Sequence, residues 1–328
     1  METVHSGTFY KIARQIFVGN RQYFYIILIS RDKTNSKSTG EHILTFMADK
    51  QLVLIFFHLL KINPLQVLCH YLFGLAGYLA VAAPAFSYRE AGLIFVFILS
   101  GQAVYSCTRI LFPTRSLFAP PDRSAPGELN RLIILGILFL FAIIFLYSGP
   151  YILPLSVSFH LGLLVGIIAV GMLGEAGILH PYLKGGLAGL APLAGLFAGG
   201  ATLSTPSYLL WLATGFWWAG LVIYSLQLGN KNLILNPSGA QKKFWDRVEK
   251  ILIIFNFTVA LLGWLAFGRQ IDADVLFYSI VVIFFAGSIF ALQTTGAGEE
   301  VEEPGRRAAS IMSAGFFLAV LLDFLVII

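Results

Sequence analysis

An imidazole or a carboxylate inside a long apolar run is costly to bury and is a candidate for chemistry. Such groups are few in this chain: His70, His160, Glu175 and His180. Two imidazoles at matched depth on facing helices could ligate haem or a chlorophyll. The apolar pattern puts His160 mid-span, near the bilayer centre, and His70 about two turns into the first run, on the cytoplasmic side. The depths differ, so a hydrogen-bonded interhelical histidine is the expectation for each. Glu175 and His180 fall at the cytoplasmic ends of the fourth and fifth runs. No HExxH, GxSxG, P-loop or zinc spacing occurs. Cys69 and Cys107 build neither a disulfide framework nor a metal set, and read as reduced, packed thiols.

The elements that must position these groups are membrane helices. The chain is 57% hydrophobic and 12% charged over 328 residues, with mean hydropathy +0.80. A span needs roughly 20 mostly apolar residues. Runs at 64–86, 91–111, 132–147, 151–173, 186–201, 207–228, 251–267, 275–292 and 310–328 meet or approach that length. The expected fold class is an all-α, nine-span membrane bundle. Taking connections alternately, 20 of the 22 lysines and arginines fall on one side, leaving Arg89 and Arg269 opposite. The positive-inside rule then puts the N-terminus in the cytoplasm and the C-terminus outside. The net charge of +5 follows from this partition, with anionic membrane lipid as the partner of the basic loops and no nucleic acid implied.

Residues 1–46 read as a polar, poorly ordered N-terminal extension, 47–63 as an interfacial amphipathic helix, and 64–328 as the nine-span bundle. Pro64 suits the first position of a helix, where its missing N–H is not needed. The four glutamates of GEEVEEPGRR, at 298–307, read as a solvated connection. Gly162 and Gly166, Gly185 and Gly189, and Gly195 and Gly199 are each four apart, a spacing that lets helix backbones approach. The Gly-rich fifth run is expected inside the bundle, with Pro192 free to kink it.

The order of landmarks resembles the UbiA-type intramembrane prenyltransferases. FFHLLKINPLQVLCHYLFGLAGYLA resembles that family's opening pattern, and PDRSAPGELNRLIILG its "RPLPSG" stretch before the third span. ILHPYLKGGLAGLAPLAGLFAGG is similar to its "YSxPLK" segment, with His180-Pro181-Tyr182-Leu183-Lys184 in the matching place. The likeness covers roughly residue 51 to the end. It implies a prenyl diphosphate substrate, held in that family through Mg²⁺ on two aspartate-rich motifs, because a diphosphate leaving group must be neutralised before an allylic cation forms. Both motifs are missing here. The first place reads SCTRILFPTRSLFAPPDR and the second LQLGNKNLILNPSG. The candidates left for substrate or phosphate binding are Thr108, Arg109, Arg115, Arg123, Lys184, Asn230, Lys231, Asn232 and Asn236. Arginine and lysine can hold phosphate without metal; loop cations facing lipid headgroups are the plainer reading.

Three functions stay open at this point. One is a metal-poor prenyl-transferring or terpene-cyclising enzyme of a bacterial-type inner membrane, with Mg²⁺ as cofactor if it is a standard catalyst. Another is a non-catalytic UbiA-like subunit that binds a lipid or quinone within a membrane complex. The last is an unrelated transporter or pigment-binding protein.

Overall fold

The computed structural model describes residues 62–81, 87–112, 128–153, 156–173, 179–202, 204–230, 239–293 and 303–327. The extension 1–46 and nearly all of the interfacial segment 47–63 lie outside them. The described residues form nine helices: α1 (Pro64–Leu79), α2 (Tyr88–Leu111), α3 (Glu128–Ile152), α4 (Val157–Leu173), α5 (Leu179–Ala198), α6 (Thr205–Asn230), α7 (Gly239–Gln270), α8 (Val275–Gln293) and α9 (Glu303–Ile327). Six are long and apolar enough to cross a membrane: α2, α3, α6, α7, α8 and α9. α1 has 16 residues and α4 has 17, lengths of about 24–26 Å against a hydrocarbon core of about 30 Å. α5 has 20 residues but is rich in glycine and alanine, which lowers its hydropathy.

Local chemistry sets several boundaries. Asn63 caps α1, its Oδ1 accepting from the Leu65 N–H at 3.0 Å, and Pro64 opens the helix as expected. The third helix does not end at Tyr147. It runs through Pro150, whose missing N–H costs a single bond in the last turn, and the Leu153 N–H adds a bond to the Gly149 carbonyl at 2.7 Å. The chain leaves the helix just before Pro154, where the residue preceding a proline is pushed away from helical geometry. Ser156 then caps α4, its Oγ accepting from the Phe159 N–H at 3.4 Å. α5 starts seven residues earlier than its apolar run, so His180 and Lys184 stand on the helix and not in a connection. Likewise Arg306 and Arg307, read as part of a solvated connection, belong to the first two turns of α9.

α5 is central. It packs most extensively on α6 and α1, and also meets α2, α3 and α4. α9 closes the ring by packing on both α8 and α1. Glycine makes these crossings tight: a Cβ at Gly185 would overlap the Gly215 carbonyl of α6, and one at Gly77 would overlap the Pro192 carbonyl of α5. Gly189 seats the Trp211 ring, whose Nε1–H donates to the Gly186 carbonyl at 3.0 Å. Gly162 and Gly166 do not behave this way. Nothing lies within 4 Å of a Cβ placed at either, because that side of α4 faces outward.

Two apolar cores flank the α1–α5 crossing. The larger joins α1 with α6, α7, α8 and α9 around Phe73, Trp217, Trp264, Phe267, Phe277 and Phe316. Its rings contact one another at centroid distances such as 5.6 Å for Trp264 and Phe316. The other joins α2, α3, α4 and α5 around Phe97, Phe145, Ile152 and Ile167. The outer faces are also apolar, with Phe139 and Ile143 on α3, Ile254 and Leu262 on α7, and Ile283 and Phe290 on α8 exposed. A continuous exposed apolar surface on helices of span length is the mark of a protein solvated by lipid. This is an integral, multi-pass membrane protein.

Candidate functional site

A cavity opens where the N-terminal turns of α1 and α5 meet the C-terminal half of α2 and the middle of α6. Helical spacing builds its wall. Gln66 and His70 are one turn apart on α1; Ile98, Gly101, Gln102 and Tyr105 share a face of α2; Lys184, Leu187, Ala188 and Ala191 share a face of α5. Trp218 of α6, Phe145 of α3 and Ile167 of α4 also line it. Its internal volume is about 60 Å³. One water takes about 10–15 Å³ on this measure, so the space suits a compact polar head and not a long hydrocarbon chain.

The polar groups converge. Gln102 Nε2 lies 2.8 Å from His70 Nδ1. The His70 ring meets Trp218 edge-on, with centroids 4.6 Å apart and planes at 64°. Lys184 Nζ stands 5.9 Å from the centroid of Tyr105, within the reach of a cation–π contact. His70 is only 2% exposed, and its Nε2 has no hydrogen-bond partner in the protein. A lysine ammonium, an imidazole, an indole, two amides and a phenol therefore surround one small space, with no carboxylate among the described residues that line it.

The sequence candidates separate clearly. Lys184 and His70 come together in the cavity, although sequence gave no reason to pair them. Thr108 does not line it: its Oγ1 donates to the Val104 carbonyl at 2.8 Å, and its side chain packs against Gly171 of α4. Arg109 is exposed at the end of α2. His160 is not at the middle of its helix. It lies in the first turn of α4, against Gly149 of α3, with Nδ1 3.0 Å from the Ser156 carbonyl, because Pro154 delays the helix start. His70, in the second turn of α1, packs on Trp218, whereas His160, in the first turn of α4, packs on Gly149, and the two make no ligand pair. His180 is buried at the start of α5. Asn230 closes α6. Arg115, Arg123, Glu175, Lys231, Asn232 and Asn236 lie outside the described residues. Gln66, Gln102, Tyr105 and Trp218 were not anticipated; the available signal was amide side chains in or beside apolar runs, four residues from His70 and three from Tyr105. Asn256, buried in α7 and donating to Tyr182 Oη at 3.2 Å, is a polar residue missed for the same reason.

Comparison with solved structures settles the architecture. One neighbour is described as giving structural and mechanistic insights into a digeranylgeranylglyceryl phosphate synthase in membranes. It aligns over 83% of this chain and 96% of its own, at TM-score 0.55 and 15% identity. Another, the apo structure of a UbiA homolog from Aeropyrum pernix K1, aligns over 79% and 97%, at TM-score 0.56 and 10% identity. The fold is UbiA-like. No protein-family model matches the chain, and no curated protein matches it. At these identities the UbiA-like resemblance is one of architecture, and chemistry has to be argued from the residues present.

Mg²⁺, the ion such a fold implies, is a hard cation that wants carboxylate and phosphate oxygens. Among the described residues there is no cluster of three or more His, Cys, Asp or Glu able to hold a metal, and the cavity wall offers amides, a phenol and a lysine. The described residues of this UbiA-like chain do not fit a metal-chelating site.

Proposed function

We propose that this chain is a nine-span UbiA-like membrane protein with the basic end of its bundle in the cytoplasm. Its cavity between α1, α2, α5 and α6 receives the phosphorylated head of an isoprenoid lipid, and it serves prenyl-group chemistry. The observation that carries this is Lys184. It brings a cation into a small cavity that otherwise contains aromatic rings and neutral polar groups, in a fold whose solved neighbours include a digeranylgeranylglyceryl phosphate synthase. The head would sit at Lys184, and the chain, too large for the cavity, would run between helices towards lipid. The faces of Tyr105, Trp218 and Phe97 suit an electron-poor allylic carbon, since aromatic faces attract positive charge. Arg109, Arg115, Arg123 and Lys231 are the further cations that transfer would call on to neutralise a departing diphosphate.

The missing carboxylates favour a second reading, in which the chain binds such a lipid, or a quinone-like one, without turning it over, alone or in a membrane complex. One assay separates the two. The purified protein in nanodiscs is given a labelled allylic diphosphate and a membrane-lipid extract, with and without Mg²⁺. A prenylated lipid product that disappears in Lys184→Met supports transfer. Saturable binding without product supports the binding protein, and neither binding nor product at any chain length sinks both.

A further inference from the structure

We propose that the cavity is an oxyanion site built from protein donors, in which His70 Nε2–H and Trp218 Nε1–H join the Lys184 ammonium on a phosphate-type head. This rests on the reading that the cavity receives a phosphorylated isoprenoid, and it specifies how that head is held. Gln102 Nε2 donates to His70 Nδ1 at 2.8 Å. A ring nitrogen that accepts carries no proton, so in the neutral imidazole the proton sits on Nε2. That nitrogen is buried and has no protein partner, and the same holds for Trp218 Nε1, which can only donate. The two rings touch, and both line the cavity that Lys184 also lines.

A buried donor left without an acceptor is expensive. Trp217 and Trp264 also lack a protein acceptor for Nε1, but neither lines the cavity. What singles out His70 and Trp218 is that the two rings touch and both residues line one cavity together with Lys184. Two neutral donors and one ammonium select a ligand rich in acceptor oxygens and negatively charged. Among the described residues, the wall holds no aspartate or glutamate to repel it. Gln102 is then a positioning residue that fixes the imidazole tautomer. Phosphate on a lipid and phosphate free in water share this chemistry.

The test is calorimetric titration of the full chain in nanodiscs with farnesyl diphosphate, farnesol and inorganic pyrophosphate, in EDTA and in Mg²⁺. We expect farnesyl diphosphate and pyrophosphate to bind in EDTA. His70→Phe and Trp218→Phe should each weaken that binding by about tenfold to a hundredfold, the range for hydrogen bonds to a charged group, and leave farnesol unchanged. Trp218→Phe deletes one N–H and keeps the ring, so it decides the matter if His70→Phe does not fold. Binding seen only with Mg²⁺, or undiminished by both substitutions, overturns the oxyanion site and leaves the prenyl reading standing. Pyrophosphate binding that needs both rings, with no farnesyl compound bound, keeps the oxyanion site and overturns the prenyl reading. Failure of every probe overturns both.

Discussion

Replacing Gly195 by alanine puts one methyl group into the tightest helix crossing of the bundle. A Cβ at 195 would overlap the carbonyl oxygen of Gly74 and lie 2.7 Å from the Tyr78 nitrogen, about 0.7 Å inside the 3.4 Å of ordinary contact. Both obstacles are backbone of α1, so no rotamer change relieves them, and α1 and α5 must move apart. Their separation would loosen the two cores that meet at the crossing. Overpacking costs about 1–3 kcal/mol when side chains can adjust, and a rigid backbone obstacle belongs at the upper end. Alanine returns up to about 1 kcal/mol in helix propensity. The net expectation is a loss of about 2 kcal/mol, which for a chain of this size lowers Tm by roughly 3 °C. Gly162→Ala is the control, because nothing lies within 4 Å of its Cβ, and it should leave Tm level or raise it slightly. The assay is thermal unfolding in one detergent, followed by loss of the monodisperse peak. Equal Tm values for Gly195→Ala and wild type, or an equal loss from Gly162→Ala, would refute the packing argument.

Other expectations follow from particular contacts. Trp264→Ala empties the centre of the α1/α7/α9 aromatic cluster and should cost about 3–5 kcal/mol, read from the same unfolding assay. Asp323 of α9 accepts from the Asp274 N–H at 2.8 Å and so pins the α7–α8 turn. Asp323→Ala should cost about 2 kcal/mol and speed hydrogen exchange at the Asp274 amide, while Asp323→Asn, which keeps an acceptor oxygen, should lose less. Cysteines placed at Asn236 and at Asp272 should be labelled by an impermeant maleimide from opposite sides of the membrane, Asn236 from the cytoplasm. Labelling from the same side would undo the topology drawn from the basic residues.

The helical architecture was readable because apolar length is a property of whole segments. A run such as 275–292 differs from α8 by a single residue. Boundaries shifted where single residues decide them: Pro154 moved the start of α4, and α5 gained a turn and more of its amphipathic N-terminal stretch because a helix can continue past the end of its apolar run. Small-residue spacing was half informative. It marks a face that could pack closely, and only the fold shows that Gly185 and Gly189 meet α6 while Gly162 and Gly166 face outward. The cavity was the least readable part. Lys184 was found as a cation and His70 as an intramembrane imidazole, but their shared space depends on α1, α2 and α5 converging. Gln102 and Trp218 carry no mark in sequence that separates them from ordinary packed residues.

A photoreactive prenyl diphosphate analogue tests whether the α1/α2/α5/α6 cavity is where this protein meets its lipid. After irradiation in nanodiscs and digestion, cross-links should fall on peptides carrying His70, Gln102–Tyr105, Lys184 and Trp218, compete with unlabelled prenyl diphosphate, and drop sharply in Lys184→Met. Cross-links spread over the outer apolar faces of α3, α7 and α8, indifferent to competitor and to Lys184→Met, would contradict it.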